Sequence, residues 1–302
     1  MHKEIKNFAL KLGFDLVRII PAKPLATEAK HLKDWLQQGF DADMEYMEKN
    51  SQARTDPQKI LPGAKSIICL GMNYYQKGAG NADCKVARYA FGKDYHKVFE
   101  KKLKKIRQFI IEKSQATATK QDFKLYSDAG PVLERGFAVK AGLGFIGKNT
   151  TLINKDFGSW IFLAEIITTL KFGPFKVLRD FHGECGSCEK CINACPTKAL
   201  NKPYELDARK CISYQTIENK GELTVDIKDR AFGCDICQEV CPHNCRAKQT
   251  EIPEFTNHIA GPSLNPQEIA SMTEEEFKRR FAGSPLKRAG LKGLKRNIQN
   301  ML

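Results

Sequence analysis

Eleven of the 302 residues are cysteine, and seven of them fall in two closely spaced runs. The first reads Cys185-x2-Cys188-x2-Cys191-x3-Cys195-Pro196. The second reads Cys234-x2-Cys237-x3-Cys241-Pro242 and lacks a leading cysteine. Three thiolates so close together can grip three corners of a cubane. The wider last step and the proline turn the chain away, so the fourth thiolate reaches the neighbouring cluster. Cys211, with 22 residues between it and Cys234, supplies the ligand that the second run lacks. Reciprocal exchange then assigns Cys185, Cys188, Cys191 and Cys241 to one [4Fe–4S] cluster. Cys195, Cys211, Cys234 and Cys237 go to the other. Zinc ribbons place two CxxC pairs on a single tetrahedral ion, whereas these cysteines come as triplets followed by Cys-Pro. Cys69 lies in an apolar run and reads as core; Cys84 sits in a polar loop, and Cys245 is surplus to an eight-ligand count.

Clusters pass electrons one at a time and confer no substrate specificity. The long stretch ahead of Cys185 therefore should hold a second redox centre or a substrate pocket. Ile5, Phe8, Ala9 and Leu12 share one helical face. Phe14 to Ile20 reads as a strand ending at Pro21, and Glu28 to Gln38 as a polar helix. Ser66 to Met72 is a short buried strand, and Tyr95 to Lys113 a basic amphipathic helix with Phe99, Leu103, Ile106 and Ile110 inward. Phe123 to Ser127 reads as a strand, Pro131 as the start of a helix to Ala141, and Thr150–Asn154 and Trp160–Leu170 as two further strands. Strands alternating with helices predict an α/β layer architecture, within a chain of mixed α+β and α/β class.

At Phe172-Gly173-Pro174 the composition changes: apolar runs shorten and cysteines dominate to about residue 250. The chain thus divides into an α/β domain (1–172), a ferredoxin-type domain organised by metal (173–250) and a basic helical tail (251–302). In the tail, Thr273-Glu274-Glu275-Glu276 carries a helix-starting capping box.

Three patterns in the first domain need structural context. Gly142-x-Gly144-x-x-Gly147 matches a dinucleotide fingerprint, but here a helix precedes and a strand follows, the reverse of the required order. Asp94-Tyr95-His96 begins like a D-x-H-x-x-G corrinoid-ligand motif, yet Phe99 replaces the glycine, so His96 reads as a helix-start or phosphate-contact residue. Asp128 ends a strand just before a helix. A capping carboxylate is the plain reading; a general acid at the carboxyl edge of the sheet is the functional one.

Lysine and arginine exceed aspartate and glutamate by 49 − 35 = +14. Two oxidised clusters with their thiolates would remove about four of those charges, leaving an excess that suits a polyanion such as nucleic acid as well as a generally basic surface. No apolar run reaches the ~18–20 residues that cross a bilayer. The N-terminus, Met1-His2-Lys3-Glu4, shows no secretory or twin-arginine pattern. These features predict a cytoplasmic protein without a membrane partner.

With these residues laid out, the chain resembles the epoxyqueuosine reductase family, cobalamin-dependent iron–sulfur enzymes of tRNA modification. The resemblance is carried by SDAGPVLER (Ser127 to Arg135), KAGLGFIGKNTTLIN (Lys140 to Asn154), the CxxCxxCxxxCPTKAL run, LDARKCISYQTIE (Leu206 to Glu218), GCDICQEVCPHN (Gly233 to Asn244) and the tail FAGSPLKRAGLKGLKRN. It implies an N-terminal α/β cobalamin-binding domain packed on a ferredoxin-like domain with two [4Fe–4S] clusters, and a short helical C-terminal tail. It also implies reduction of the epoxide of epoxyqueuosine, at the tRNA wobble position, to queuosine. The corrinoid is held base-off, without its benzimidazole on cobalt. Asp128 matches the family's proton donor, and burial beside an apolar corrin face is expected to raise its pKa.

For the corrinoid the resemblance points to Arg54, Asp94, Tyr95, Asp128, the loop Gly147, Lys148, Asn149, Thr150, Leu152 and Asn154, and Ser213. For the anticodon arm it points to Tyr214, Gln215, Lys220 and the basic tail. Many longer relatives add a C-terminal helical-repeat domain, whose contacts are not expected of these residues. The protein is expected to act as a monomer fed by an external donor such as flavodoxin or ferredoxin. Two other classes share the cysteine pattern. A corrinoid reductive dehalogenase would act on small organohalides and typically carries a twin-arginine signal. A ferredoxin-type electron-transfer subunit would need neither a corrinoid nor an acid at Asp128.

Overall fold

The computed structural model describes residues 1–78, 80, 82–114, 119–173, 175 and 184–302. Its centre is a four-stranded sheet built from β1 (Leu16–Pro21), β2 (Ser66–Asn73), β3 (Phe123–Tyr126) and β4 (Ile161–Thr168), in the order β1-β2-β4-β3. Every neighbouring pair is antiparallel, with Ile68 opposite both Ile19 and Ile166, and Glu165 opposite both Cys69 and Tyr126. This corrects the predicted α/β architecture to a mixed fold around an antiparallel sheet. Alternating elements along the chain do not by themselves distinguish a parallel crossover from an antiparallel return.

All eight residues of β2 are buried because the sheet is covered on both faces. Ile68, Leu70 and Met72 point into a core shared with α1 (His2–Lys11) and α3 (Tyr95–Lys113). Alternate residues Ile67 and Cys69 point into a second core with Phe137, Ala138 and Val139 of α4 (Glu134–Lys140). Along the chain β1 is followed by α2 (Ala26–Gln37), whose Leu32 is buried. The α3 helix starts where Asp94 caps it, its side chain accepting the His96 N–H at 3.0 Å. Its Val98, Phe99, Leu103, Ile106 and Ile110 recur at helical spacing on the buried face.

The predicted helix start at Pro131 moves to Glu134, since Leu133 N–H is held by the Arg54 carbonyl at 2.7 Å. The predicted strand Thr150–Asn154 shrinks to Leu152–Ile153, paired with Phe145–Ile146. That hairpin leaves no room for a side chain at Gly144, whose Cβ would fall on the Ile153 carbonyl oxygen.

In the cysteine-rich segment α5 (Lys190–Ala194) and α7 (Ile236–Glu239) bury no residue at all, so apolar packing cannot hold them together. Between them α6 (Ile212–Ile217) is buried along most of its length. A third core joins all three predicted segments: Val86, Ala90 and Phe91 meet Ile217 and Phe232, and both meet Phe277 of α8 (Glu274–Arg280) and Leu291, Leu294 and Ile298 of α9 (Gly290–Ile298). Lys85–Val86 also pairs in parallel with Arg230–Phe232. The α8 capping box forms as the sequence predicts, between Thr273 and Glu276. Among the described residues no helix is long and apolar enough to cross a membrane.

Replacing Gly144 with alanine is expected to push the hairpin apart and lower the unfolding free energy by about 1–3 kcal/mol. Chemical denaturation of the variant beside the wild type measures this.

Candidate active site

The cysteine side chains come together in two groups. Cys185, Cys188, Cys191 and Cys241 line one narrow pocket with Lys148, Asn149, Ile153, Lys190, Pro242 and His243. Burial raises the Cys191 and Cys241 thiols, and Cys185 lies close enough to add to both shifts. Cys211 is raised first by burial and then by Cys195; Cys234 by burial and then by Cys211. Cys237 feels Cys234 and Cys211 most among its thiol neighbours, and Cys191 of the first group as well. The two groups are therefore adjacent, and each contains one thiol from the other's run. Among the described residues no three His, Cys, Asp or Glu side chains converge as a single-ion site requires. The donor set is four soft thiols around each of two neighbouring points, which suits polynuclear iron–sulfur centres.

Cys211 and Cys234 also open onto a cavity of about 990 Å³. It lies over one edge of the sheet, where Tyr74 follows β2, Asp128 follows β3, and Ile161 and Phe162 begin β4. Antiparallel pairing puts the ends of β2 and β3 beside the start of β4, so this edge is not a common carboxyl edge. Tyr95 stacks on Phe162 with ring centroids 4.2 Å apart, which gives the floor a flat aromatic surface. Such a volume is at the upper end of small-molecule sites. Arg54 lines the wall; one guanidinium nitrogen donates to the Tyr46 carbonyl at 2.8 Å, while its buried Nε has no partner among the described residues. An orphaned donor in a wall of this kind fits a bound ligand that carries acceptors.

Asp128 holds the centre of the site with φ +60°, in the left-handed region that aspartate tolerates better than most residues. Its side chain is 62% exposed because it faces the cavity. The Tyr95 hydroxyl donates to Asp128 Oδ2 at 2.7 Å, and His96 Nε2 lies 3.4 Å from the same oxygen. His96 Nδ1 is 2.7 Å from Asp94 Oδ1. Crowding by the cavity walls works to raise the Asp128 carboxyl, but hydrogen bonds from His96 and Tyr95, and then the charges of His96 and Arg135, outweigh it and leave it below the ordinary value. The protein groups by themselves thus work against the rise expected beside a corrin face. The carboxyl is hemmed in but wet. Burial likewise works to lower His96, yet its bonds to Asp128 and Asp94 raise it to about 9. The proton of this group therefore sits on the imidazole between two carboxylates, and burial keeps the Tyr95 phenol protonated.

Of the residues that the sequence singled out, Arg54, Asp94, Tyr95, Asp128 and Ser213 all line the cavity. The loop from Gly147 to Asn154 does not. Lys148 and Asn149 line the first thiol pocket, and Asn149 donates to the Cys237 carbonyl at 3.3 Å. Gly147 and Asn154 close the hairpin, Leu152 packs in the second core, and Thr150 reaches the cavity wall only through the Arg135 bond to its carbonyl.

The anticodon-arm residues are corrected further. Gln215 is 2% exposed and spent on Arg209, Thr224 and Asn219. Tyr214 is buried, donates to Asp43 at 2.7 Å and meets solvent only through the cavity. The Lys220 amine is committed to the carbonyls of Ile217 and Arg288. Helical periodicity and charge counts do not reveal such bonds. Lys287 and Arg288 of the tail line the cavity and are exposed. They lie within the basic tail that the resemblance pointed to for the anticodon arm.

Comparison with known proteins completes this picture. Residues 184–244 match the "4Fe-4S double cluster binding domain", which defines the class: a double-cluster iron–sulfur protein with a large ligand cavity beside its second thiol group. Residues 54–129 match "Epoxyqueuosine reductase QueG, DUF1730". The epoxyqueuosine reductase of Leadbetterella byssophila is 41% identical over 98% of this chain and 96% of its own length. That of Pseudomonas aeruginosa is 38% identical over 98% of this chain and 83% of its own. The chain belongs to the epoxyqueuosine reductase family.

A solved epoxyqueuosine reductase from Bacillus subtilis, with its catalytic aspartate loop swung out of the active site, superposes with a TM-score of 0.83 at 31% identity, covering 98% of this chain and 79% of that one. A crystal structure of an epoxyqueuosine reductase with an epoxyqueuosine-modified tRNA-Tyr stem loop superposes with a TM-score of 0.82 at 32% identity, covering the same shares.

Replacing His96 with asparagine removes the cation that holds the Asp128 carboxylate down, so the Asp128 pKa is expected to rise towards the usual carboxylate range. Titration of the protein with carbon-13-labelled aspartate reads this; a carboxyl that does not move would show that His96 does not control it.

Proposed function

We propose that this protein reduces the epoxide of epoxyqueuosine in tRNA to the alkene of queuosine. The observation that carries the reading is one cavity bounded by thiols of the second group on one side and by the Asp128–His96–Asp94 group on the other. Cys185, Cys188, Cys191 and Cys241 would hold the first [4Fe–4S] cluster; Cys195, Cys211, Cys234 and Cys237 would hold the second, at the cavity wall. The cavity would hold cobalamin, with Arg54, Tyr95 and Ser213 among its contacts. Both ring nitrogens of His96 are engaged by carboxylates, so its role here is with the proton rather than with a metal.

When bound, these groups supply single electrons and a two-electron nucleophilic reductant. Removing the epoxide oxygen as water consumes two electrons and two protons, and the chain's part is the proton. Asp128, facing the cavity, would meet the departing oxygen, with the imidazolium of His96 behind it as the proton's source. Asp94 fixes the imidazole, and Tyr95 orients the carboxylate. Arg135, Lys287 and Arg288 are exposed around the cavity and replace Tyr214, Gln215 and Lys220 as the contacts for tRNA phosphates; Arg288 is 58% exposed and anchored by Glu218 at 2.8 Å. The first cluster lies on the far side of the second from the cavity, the natural entry for an external donor such as flavodoxin or ferredoxin. In this scheme 1–172 forms the cofactor domain, 173–250 the electron path and 251–302 part of the cavity rim.

Anaerobically reconstituted protein should carry about eight irons per chain, and Cys241→Ser about four, since only the first cluster loses a ligand. Zinc in their place, or no retained cobalamin, would refute the cofactor assignment. Asp128→Asn should keep irons and cobalamin while turnover of epoxyqueuosine-containing tRNA falls by about 10²-fold or more. No queuosine from fully loaded wild type would reject the reaction itself.

A further inference from the structure

The proposed reaction leaves one pair of acids unused. Glu165, in the middle of β4, is 0% exposed, and neither of its carboxyl oxygens has a partner at hydrogen-bonding distance among the described residues. A lone carboxylate in such a place is too costly to stay ionised, so Glu165 is a neutral acid. Its neighbour is Glu134, the first residue of α4, close enough for each to shift the other although no tight bond closes between them. Glu134 Oε1 in turn accepts the backbone N–H of Asp128 at 2.6 Å.

This bond is the tie that bears on the Asp128 backbone itself. The loop is pinned at its start by Ser127 Oγ donating to the Leu163 carbonyl at 3.1 Å, and at its end by Leu133 N–H on the Arg54 carbonyl. Between those pins the chain passes through the left-handed conformation of Asp128, which must be held from outside. Tyr95 and His96 hold the carboxylate from the front, and Glu134 holds the peptide from behind.

We propose that Glu134 is a positioning residue, the latch that keeps the Asp128 loop in its reacting conformation. This rests on the reading of Asp128 as the proton donor. The ionisable groups around Glu134 are Asp128 from the loop, Glu165 from β4, Arg135 from α4 and, further out, Cys69 of β2, Tyr95 of α3 and Arg54. Burial and the Asp128 charge raise Glu134, while the Asp128 N–H, Glu165 and Arg135 oppose the rise.

Hydrogen–deuterium exchange of the cofactor-loaded protein without tRNA tests the latch. In Glu134→Ala the segment 126–133 should exchange about tenfold faster or more, with β2 and β4 unchanged. Glu134→Gln, which keeps an acceptor, should stay within about threefold of wild type. Unchanged exchange in Glu134→Ala overturns the proposal. In turnover, Glu134→Ala should lower kcat about tenfold with KM for tRNA unchanged. A loosened loop with unchanged kcat would overturn the positioning role, whereas a wild type without turnover would overturn only the reaction reading.

Discussion

Two short helices with no buried side chain, α5 and α7, face each other across two groups of four thiols. Nothing apolar explains why the chain folds back there; the thiols do, each group borrowing one sulfur from the other's run. The exchange ties Cys241 to the start of the segment and Cys195 to its middle. It fixes Cys211 and Cys234 against the sheet edge, where the large cavity opens. Bound metal in such a segment contributes folding free energy directly, because the unfolded chain offers no preformed site. Electron path and cavity wall are thus one structural element.

The opposite wall is organised by charge. Asp94, His96 and Asp128 form a line in which one cation lies between two carboxylates, and its consequences run in opposite directions for the two residue types. The imidazole is raised to about 9 and the Asp128 carboxyl is held down. A proton placed this way is available near neutral pH without requiring a neutral aspartic acid. Behind it, Glu134 and Glu165 differ only in surroundings: the first has an N–H to accept, the second has nothing. Burial raises both, and the Asp128 N–H holds Glu134 back from the full rise.

The tail completes the enclosure. Phe277, Phe281, Leu286 and Leu294 bury themselves against residues 84–91 and 231–232, which carries Ser284, Pro285, Lys287 and Arg288 to the cavity rim. A basic C-terminal segment that resembled a free arm is held by an apolar face with helical spacing, and its charges are presented on the other side. The net excess of +14 is thereby partly concentrated where a polyanion would approach.

Much of this was legible in the sequence. Ligand spacing is local, so the two cysteine runs and their missing member could be read from residue numbers alone, as could the α3 helix from Asp94 to Lys113 and the α8 capping box. Hydrophobic period also marked β2 and β4, because strands buried on both faces leave an unbroken apolar run.

Direction and burial were not legible. Antiparallel pairing of β2 with β4 arises from contacts between segments some ninety residues apart, and no local pattern encodes it. Gln215 looks like a surface polar residue until its hydrogen-bond partners are in place, and Lys220 stays at the surface with its amine turned onto backbone carbonyls. The same is true of Asp128: its residue type and motif marked it for chemistry, but its charge depends on His96 and Tyr95, which α3 brings across from 32 and 33 positions earlier. Ligand identity is carried by short-range spacing, while protonation state is set by three-dimensional neighbours. The sequence alone therefore determined which residues could bind metal, and only the tertiary structure decided which acids hold a proton.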